Sequence, residues 1–408
     1  MVYHLPVILS NVRPWGADAV DVVIAGSRIE AVMPAGTTAP AGGRVDGGGL
    51  LALPGFVNAH AHVDKSWWGR PWVPYGGEAT TQGRIAHERA ERDALGIPSV
   101  ASTTAVLREF LRHGTTATRT HVDVDLGVGL RGIETVRAAV AALAGAIEVE
   151  IVAFPQDGVI RRPGVLGLLD QAAAAGVTSI GGIDPASIDR DPVAQLDGLF
   201  AIAERRGVGL DIHLHDGGEL GAFQYELILE RTRRAGLAGN VTISHGFALG
   251  ELPPYRQEEL LDRLGEAGIS WATVAPVRSA PLPWRGMLDR GIAIGLGTDG
   301  IRDLWSPYGD GDMLRTALAF ARLHGLRADD EMARAVELAT GRAAGFVHRD
   351  RHELAPGARA DIVLLDAENV PDALVRAPAR RLVIAGGRVV AKDGELVDQA
   401  VSPDSRRR

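Results

Sequence analysis

The chain of 408 residues is 46% hydrophobic and 23% charged with a formal net charge of −8, an ordinary globular balance in a chain long enough for one large domain and a smaller one. That balance gives no electrostatic footprint for nucleic acid or anionic lipid, and the one run of positive charge, Ser405-Arg406-Arg407-Arg408, reads as a solvated tail. With no cysteine, disulfides, thiolate metal ligands and cysteine nucleophiles are excluded together, so any metal must sit on His, Asp or Glu.

Met1 to Ser10 lack a basic stretch followed by a long apolar run, and no later segment reaches the roughly 18 uninterrupted apolar residues of a membrane span; the expectation is a cytoplasmic protein. Residues 1–52 alternate β-branched runs such as Val20 to Ile24 and Ile29 to Val32 with Gly and Pro turns, as a small antiparallel sheet does. Residues 356–408 read the same way, with Asp361 to Leu365 and Arg381 to Val390 strand-like. The two ends together predict one small β-sandwich domain built from both termini. Between them, residues 53–355 alternate apolar runs with Ala- and Leu-rich helical stretches. Eight strands are predicted: Gly55 to His62, Thr115 to Val124, Glu148 to Gln156, Thr178 to Pro185, Gly209 to Asp216, Val241 to Phe247, Ser270 to Pro276 and Ile292 to Gly300. The fold class is therefore α/β, a (β/α)8 TIM barrel whose active site lies at the strands' C-terminal ends.

Chemistry-bearing residues cluster at those ends. His60 and His62 close strand one, and the period-two alternation of a strand points both to one side. His213 ends strand five, His245 strand six and Asp299 strand eight; imidazoles and a carboxylate converging on one barrel mouth are the usual build of a catalytic metal site.

The sequence resembles the amidohydrolases, and within them the cytosine deaminase branch. The marks are Pro54-Gly55-Phe56-Val57-Asn58-Ala59-His60-Ala61-His62, Arg119-Thr120-His121-Val122-Asp123-Val124-Asp125, Val152-Ala153-Phe154-Pro155-Gln156, Asp211-Ile212-His213, Ser244-His245, and Asp299 followed by Asp303-Leu304-Trp305. Three further stretches resemble the s-triazine hydrolases of that branch: His62-Val63-Asp64-Lys65-Ser66, Gly181-Gly182-Ile183-Asp184-Pro185-Ala186 and His213-Leu214-His215-Asp216. The resemblance implies one divalent metal ion, zinc first and iron second, on His60, His62, His213 and Asp299, with His245 beside it as ligand or orienting group. Asp299 would take a proton from the attacking water. It also implies a small heterocyclic substrate and a homo-oligomer.

The sequence departs from cytosine deaminase in carrying Asp216 where that pattern has a proton-shuttling Glu, and Gly300 where it has a second acid. His215 and Asp216 match the triazine pattern instead, and either is a candidate to protonate the leaving amine. Lys65, one of only two lysines in the chain with Lys392, is a candidate to polarise substrate. Gln156 offers a donor and an acceptor to a heterocycle edge, and Asp184, Asp303 and Trp305 stand with it as candidate substrate contacts. His121 is weighed with them, with a supporting role equally open. Residues 66–96 form a long connection whose Trp67, Trp68, Trp72 and Tyr75 could stack on a flat ring, Trp68 foremost. His4, His87, His113, His324, His348 and His352 read as surface or helix-capping residues. The reading that follows is hydrolysis of a non-peptide C–N bond, as an aminohydrolase or deaminase of a nitrogen heterocycle. A cyclic amide hydrolase and an inactive metal-binding scaffold remain as alternatives.

Overall fold

A computed structural model of the chain describes residues 7–37 and 43–397; His4 and the Ser405–Arg408 tail lie outside them. Five strands come first: β1 (Val7–Pro14), β2 (Val20–Ala25), β3 (Arg28–Pro34), β4 (Gly43–Asp46) and β5 (Leu51–Pro54). Nine more follow: β6 (Phe56–His62), β7 (Thr115–Asp123), β8 (Glu148–Phe154), β9 (Ser179–Ile183), β10 (Gly209–Leu214), β11 (Val241–His245), β12 (Ser270–Thr273), β13 (Ile294–Leu296) and β14 (Asp299–Gly300). The last four are β15 (Ile362–Leu365), β16 (Arg380–Ala385), β17 (Arg388–Lys392) and β18 (Glu395–Leu396).

The middle strands form one nine-stranded sheet in the order β13-β12-β11-β10-β9-β8-β7-β6-β14, every pairing parallel. Parallel strands need helical crossovers, and the sequence supplies them with caps. Val100–Arg112 starts on Ser99, whose side chain accepts from Ser102 N, and buries Val106, Leu107, Phe110 and Leu111. Pro192–Arg206 starts on Asp191 with proline in its first turn and ends on Gly207 at φ +67°. Covered in this way, β6 and β7 are buried along their whole length, so polar residues on them face the interior of the fold rather than water.

The predicted eighth strand, 292–300, is two short pieces: β13 pairs with β12, and β14 pairs with β6. Gly297 lies between them, and a Cβ there would stand 2.4 Å from His60 Cβ. The chain passes this close to β6 only because residue 297 is glycine.

The two ends of the chain pair in a second sheet, β18-β17-β16-β15-β5-β1-β2-β3, with β4 on β1. It is mixed rather than antiparallel as expected: β1 runs parallel to β4 and β5, because the β2–β3 hairpin intervenes before the chain returns to the other side of β1. Gly55 alone separates β5 from β6, carrying the chain between the sheets. His352, expected at the surface, is buried there with its Nε2 against Gly55 O.

Arg380 of β16 fastens the second sheet to the helix Met313–Leu323. Its guanidinium meets both oxygens of buried Asp312, which caps that helix at Leu314 N, and its Nε donates to His113 O at 2.9 Å. Arg380→Met should lower the unfolding free energy by about 3–5 kcal/mol, because Asp312 is left charged and buried without its partner. Equilibrium urea unfolding measures it, and a loss below about 1 kcal/mol would mean the pair contributes no more than a surface contact.

Candidate active site

The C-terminal ends of the parallel strands bring together His60 and His62 from β6, His121 from β7, His213 from β10, His245 from β11 and Asp299 from β14. The His60 ring centroid lies 4.2 Å from that of His121, 4.7 Å from that of His213 and 4.8 Å from that of His245. Potential ligand atoms of His60, His62, His121 and His213 all lie within 4.8 Å of one another, as do those of His60, His245 and Asp299. Asp299 Oδ1 is 3.3 Å from His62 Nε2 and 3.6 Å from His60 Nε2. His245 and Asp299 hold left-handed φ angles of +67° and +61°, a conformation that costs about 1–3 kcal/mol in a non-glycine residue and clusters where function demands it.

Electrostatics prepare this group for a cation. Burial pushes His62 down to about 3 and His121 to about 4, and holds His213 and His245 well below the usual imidazole range, so these rings are neutral with lone pairs to offer. Burial alone would raise Asp299, but the imidazoles around it, His60 and His62 first, outweigh burial and hold its carboxyl well below the usual carboxylate range. His60 Nε2, His62 Nδ1 and both nitrogens of His213 are buried without a hydrogen-bond partner. Each such orphan costs about 1–3 kcal/mol, and a divalent ion coordinated there would satisfy one nitrogen of each ring.

The cluster opens into a cavity of about 720 Å³. Lys65, Gln156, His215, Asp303 and Trp305 line it as the sequence led us to expect. Lys65 is nearly sealed, however, and its ammonium is committed to Asp123 Oδ1 at 2.7 Å, Gln156 Oε1 at 2.8 Å and Glu88 Oε1 at 3.4 Å. Burial lowers its pKa, but the surrounding carboxylates prevail and hold it above the usual lysine range, so it is a fixed cation. His215 Nδ1 lies 2.8 Å from Asp184 Oδ2, and the same carboxylate accepts from His215 N at 2.5 Å. Burial works against the charged ring, Asp184 outweighs it, and the imidazole is raised above its ordinary value. Asp303 Oδ1 accepts from Trp305 N and Ser306 N at 2.8 Å, and burial pushes its carboxyl up to about 7. A Cβ at Gly300 would stand 1.7 Å from Asp303 Oδ2, so the Asp303 side chain fills the space where a residue-300 side chain would go.

Three expected contacts are not brought to the cavity. Asp216 is half-buried just past the end of β10 and outside the cavity lining, with Oδ2 accepting from Gln224 Nε2 at 3.0 Å. Asp184 is buried behind His215 rather than beside the cavity. Trp68 stacks under Arg302, 4.8 Å from its ring, away from the lining. The sequence reading passed over Glu88, which accepts from Trp305 Nε1, and Asp211, whose Oδ1 lies 3.1 Å from His121 Nε2. The signal was present for Asp211 and for His121: Arg119-x-His121-x-Asp123 and Asp211-x-His213 put polar residues with period two on strands that are otherwise apolar.

The amidohydrolase family pattern matches residues 99–391. The chain belongs to that family. N-isopropylammelide isopropylaminohydrolase from Burkholderia multivorans superposes on this amidohydrolase with a TM-score of 0.92 at 43% identity, covering 96% of this chain and 100% of that one. 5-Methylcytosine deaminase from Klebsiella pneumoniae, solved with 5-fluorocytosine, gives a TM-score of 0.80 at 25% identity over 95% and 97% of the two chains. A pterin deaminase of Rhizobium rhizogenes is 27% identical over 392 residues, 91% of this chain and 87% of that one. As a member of this family, the protein is a hydrolase of carbon–nitrogen bonds outside peptides. After zinc loading, His213→Ala should retain only a small fraction of the metal that the unmutated protein holds. Elemental analysis after dialysis measures it, with circular dichroism confirming the fold; full zinc occupancy would remove His213 from the ligand set.

Proposed function

We propose that this amidohydrolase replaces an exocyclic amino or alkylamino group of a nitrogen heterocycle of the pyrimidine, pterin or s-triazine type with oxygen. One divalent ion, zinc first and iron second, would be held by His60, His62, His213 and Asp299. The reading includes a closed (β/α)8 barrel over 53–355, with β13 and β14 as two halves of its eighth strand, and a small domain from 1–52 and 356–408. Its support is that β14 lies on β6 while β13 lies on β12, so the two edges of the parallel sheet are joined by two residues.

A coordinated divalent ion lowers the pKa of its water to about 7 and so supplies hydroxide at neutral pH. The remaining steps belong to side chains. Asp299, ionised and at the centre of the imidazoles, takes the proton of the attacking water. Lys65 fixes the Gln156 amide by donating to its oxygen, which leaves Nε2 as the donor presented to a ring nitrogen or carbonyl. Asp303 accepts from a ring N–H. As the carbon–oxygen bond forms and the carbon–nitrogen bond breaks, the departing amine needs a proton. His215, at the cavity wall and charged through Asp184, is placed to give it. Nothing favours a ring-opening reading.

The observation that carries the proposal is the gathering of neutral, unpaired imidazoles around ionised Asp299 on the floor of a cavity whose wall holds the His215–Asp184 pair. Mass spectrometry of zinc-loaded enzyme with N-isopropylammelide, 5-methylcytosine and pterin in ¹⁸O-water should show amine replaced by one labelled oxygen. An intact substrate in every case, or an opened ring, contradicts the reading. His215→Ala should lower kcat by about 10²–10⁴-fold, the usual contribution of a positioned acid. Asp216→Asn should leave it within about threefold, since a polar residue outside the cavity lining supplies little. The reverse ranking, read by steady-state kinetics, would move the acid role to Asp216.

A further inference from the structure

Beneath the imidazoles, three side chains that the mechanism above leaves unused form a continuous run: Arg119 of β7 reaches past β8 and β9 to Asp211 of β10, beside Ser244 of the neighbouring β11. All three are buried. Arg119 Nη1 donates to Asp211 Oδ2 at 3.2 Å and to Thr242 Oγ1 at 3.0 Å. Ser244 Oγ donates to Asp211 Oδ1 at 2.6 Å and lies 3.0 Å from His60 Nδ1. A hydroxyl has one proton, and a carboxylate opposite a guanidinium has none to give. Ser244 therefore spends its proton on Asp211 and can only accept from His60. The hydrogen on His60 is then on Nδ1, and the bare nitrogen is Nε2, the atom that faces Asp299 and has no other partner.

We infer that Arg119, Asp211 and Ser244 are positioning residues, a relay that locks His60 in its Nδ1–H tautomer and so sets how tightly the site holds its metal. Asp211 is its centre. The same Oδ1 that takes the Ser244 proton lies 3.1 Å from His121 Nε2, so one carboxylate stands behind His60 through Ser244 and beside His121. Arg119 donates to the other oxygen of that carboxylate inside the fold, and Thr242 Oγ1 helps to hold the guanidinium. Partners of this kind, which fix a ligand's tautomer without touching the metal, typically contribute 10- to 100-fold in affinity. The inference rests on the proposed metal site but concerns residues outside it.

The test uses the full chain stripped of metal and reconstituted with zinc. Ser244→Ala removes the acceptor for His60 Nδ1–H and should weaken zinc binding about 10- to 100-fold in competition with a chromophoric chelator. Ser244→Thr keeps the hydroxyl and should return affinity to within about threefold, because the hydrogen bond is regained. Histidine-selective ¹⁵N spectra of the metal-free protein supply a readout that a merely structural role would not move: His60 should show a protonated Nδ1 and a bare Nε2, with that signature lost in Ser244→Ala. Wild-type zinc affinity in Ser244→Ala, or an Nε2–H His60 in the wild type, overturns the relay. Should the wild-type protein bind no zinc, the metal reading falls, and the tautomer spectrum still decides for or against the relay.

Discussion

Five buried imidazoles and one half-buried carboxylate sit at the end of a single parallel sheet, and holding those nitrogens there is the constraint to which the rest of the structure answers. Neutral rings with unmatched lone pairs are expensive in a packed interior and repel further charge. The chain meets this with a second layer of polar residues one strand position deeper. Ser244 holds the His60 ring by a hydrogen bond and is itself held by Asp211, Arg119 and Thr242, while the apolar sides of the same strands pack outward against helices. What those bonds leave unsatisfied points inward to one place, which is why a packed interior also serves as a ligand-binding floor.

A similar balance fixes the cavity wall. Lys65 is surrounded by Asp64, Glu88 and Asp123, and burial drives Asp64 up to about 6 and Asp123 well above the usual carboxylate range. Glu88 belongs to the helix Thr81–Glu91 in the long connection after β6 and touches both Lys65 and Trp305. Arg89 reaches Asp157 and Arg92 reaches Asp125 from the same segment. The connection is thus tied at three points to the strand ends that carry the site. Trp305 owes its orientation to these ties, and the shape of the cavity depends on charge pairs as much as on apolar packing.

Period two made much of this legible in the sequence. His60 and His62 on one side of β6, His213 at the end of β10 and Asp299 at the end of the last strand follow from alternation and from the strand-and-helix order alone. Alternation fails where a strand ends. His215 and Asp216 are adjacent, and only the turn after Leu214 decides that His215 reaches the cavity while Asp216 is drawn to Gln224. Trp68 was misplaced for a related reason: a tryptophan in a loop has no register, and a passing arginine captured it. His352 looked like a surface residue because nothing local marks a residue that packs against a chain segment nearly 300 positions away. The parallel pairing of β1 with β4 and β5 was hidden likewise, since a β-branched run carries no record of its partner's direction.

Anomalous diffraction at the zinc edge from crystals of the zinc-loaded protein tests the central claim most directly. The account predicts one strong peak about 2.0–2.2 Å from His60 Nε2, from nitrogens of His62 and His213, and from an oxygen of Asp299. No peak among these side chains, or a peak held by other residues, would contradict it.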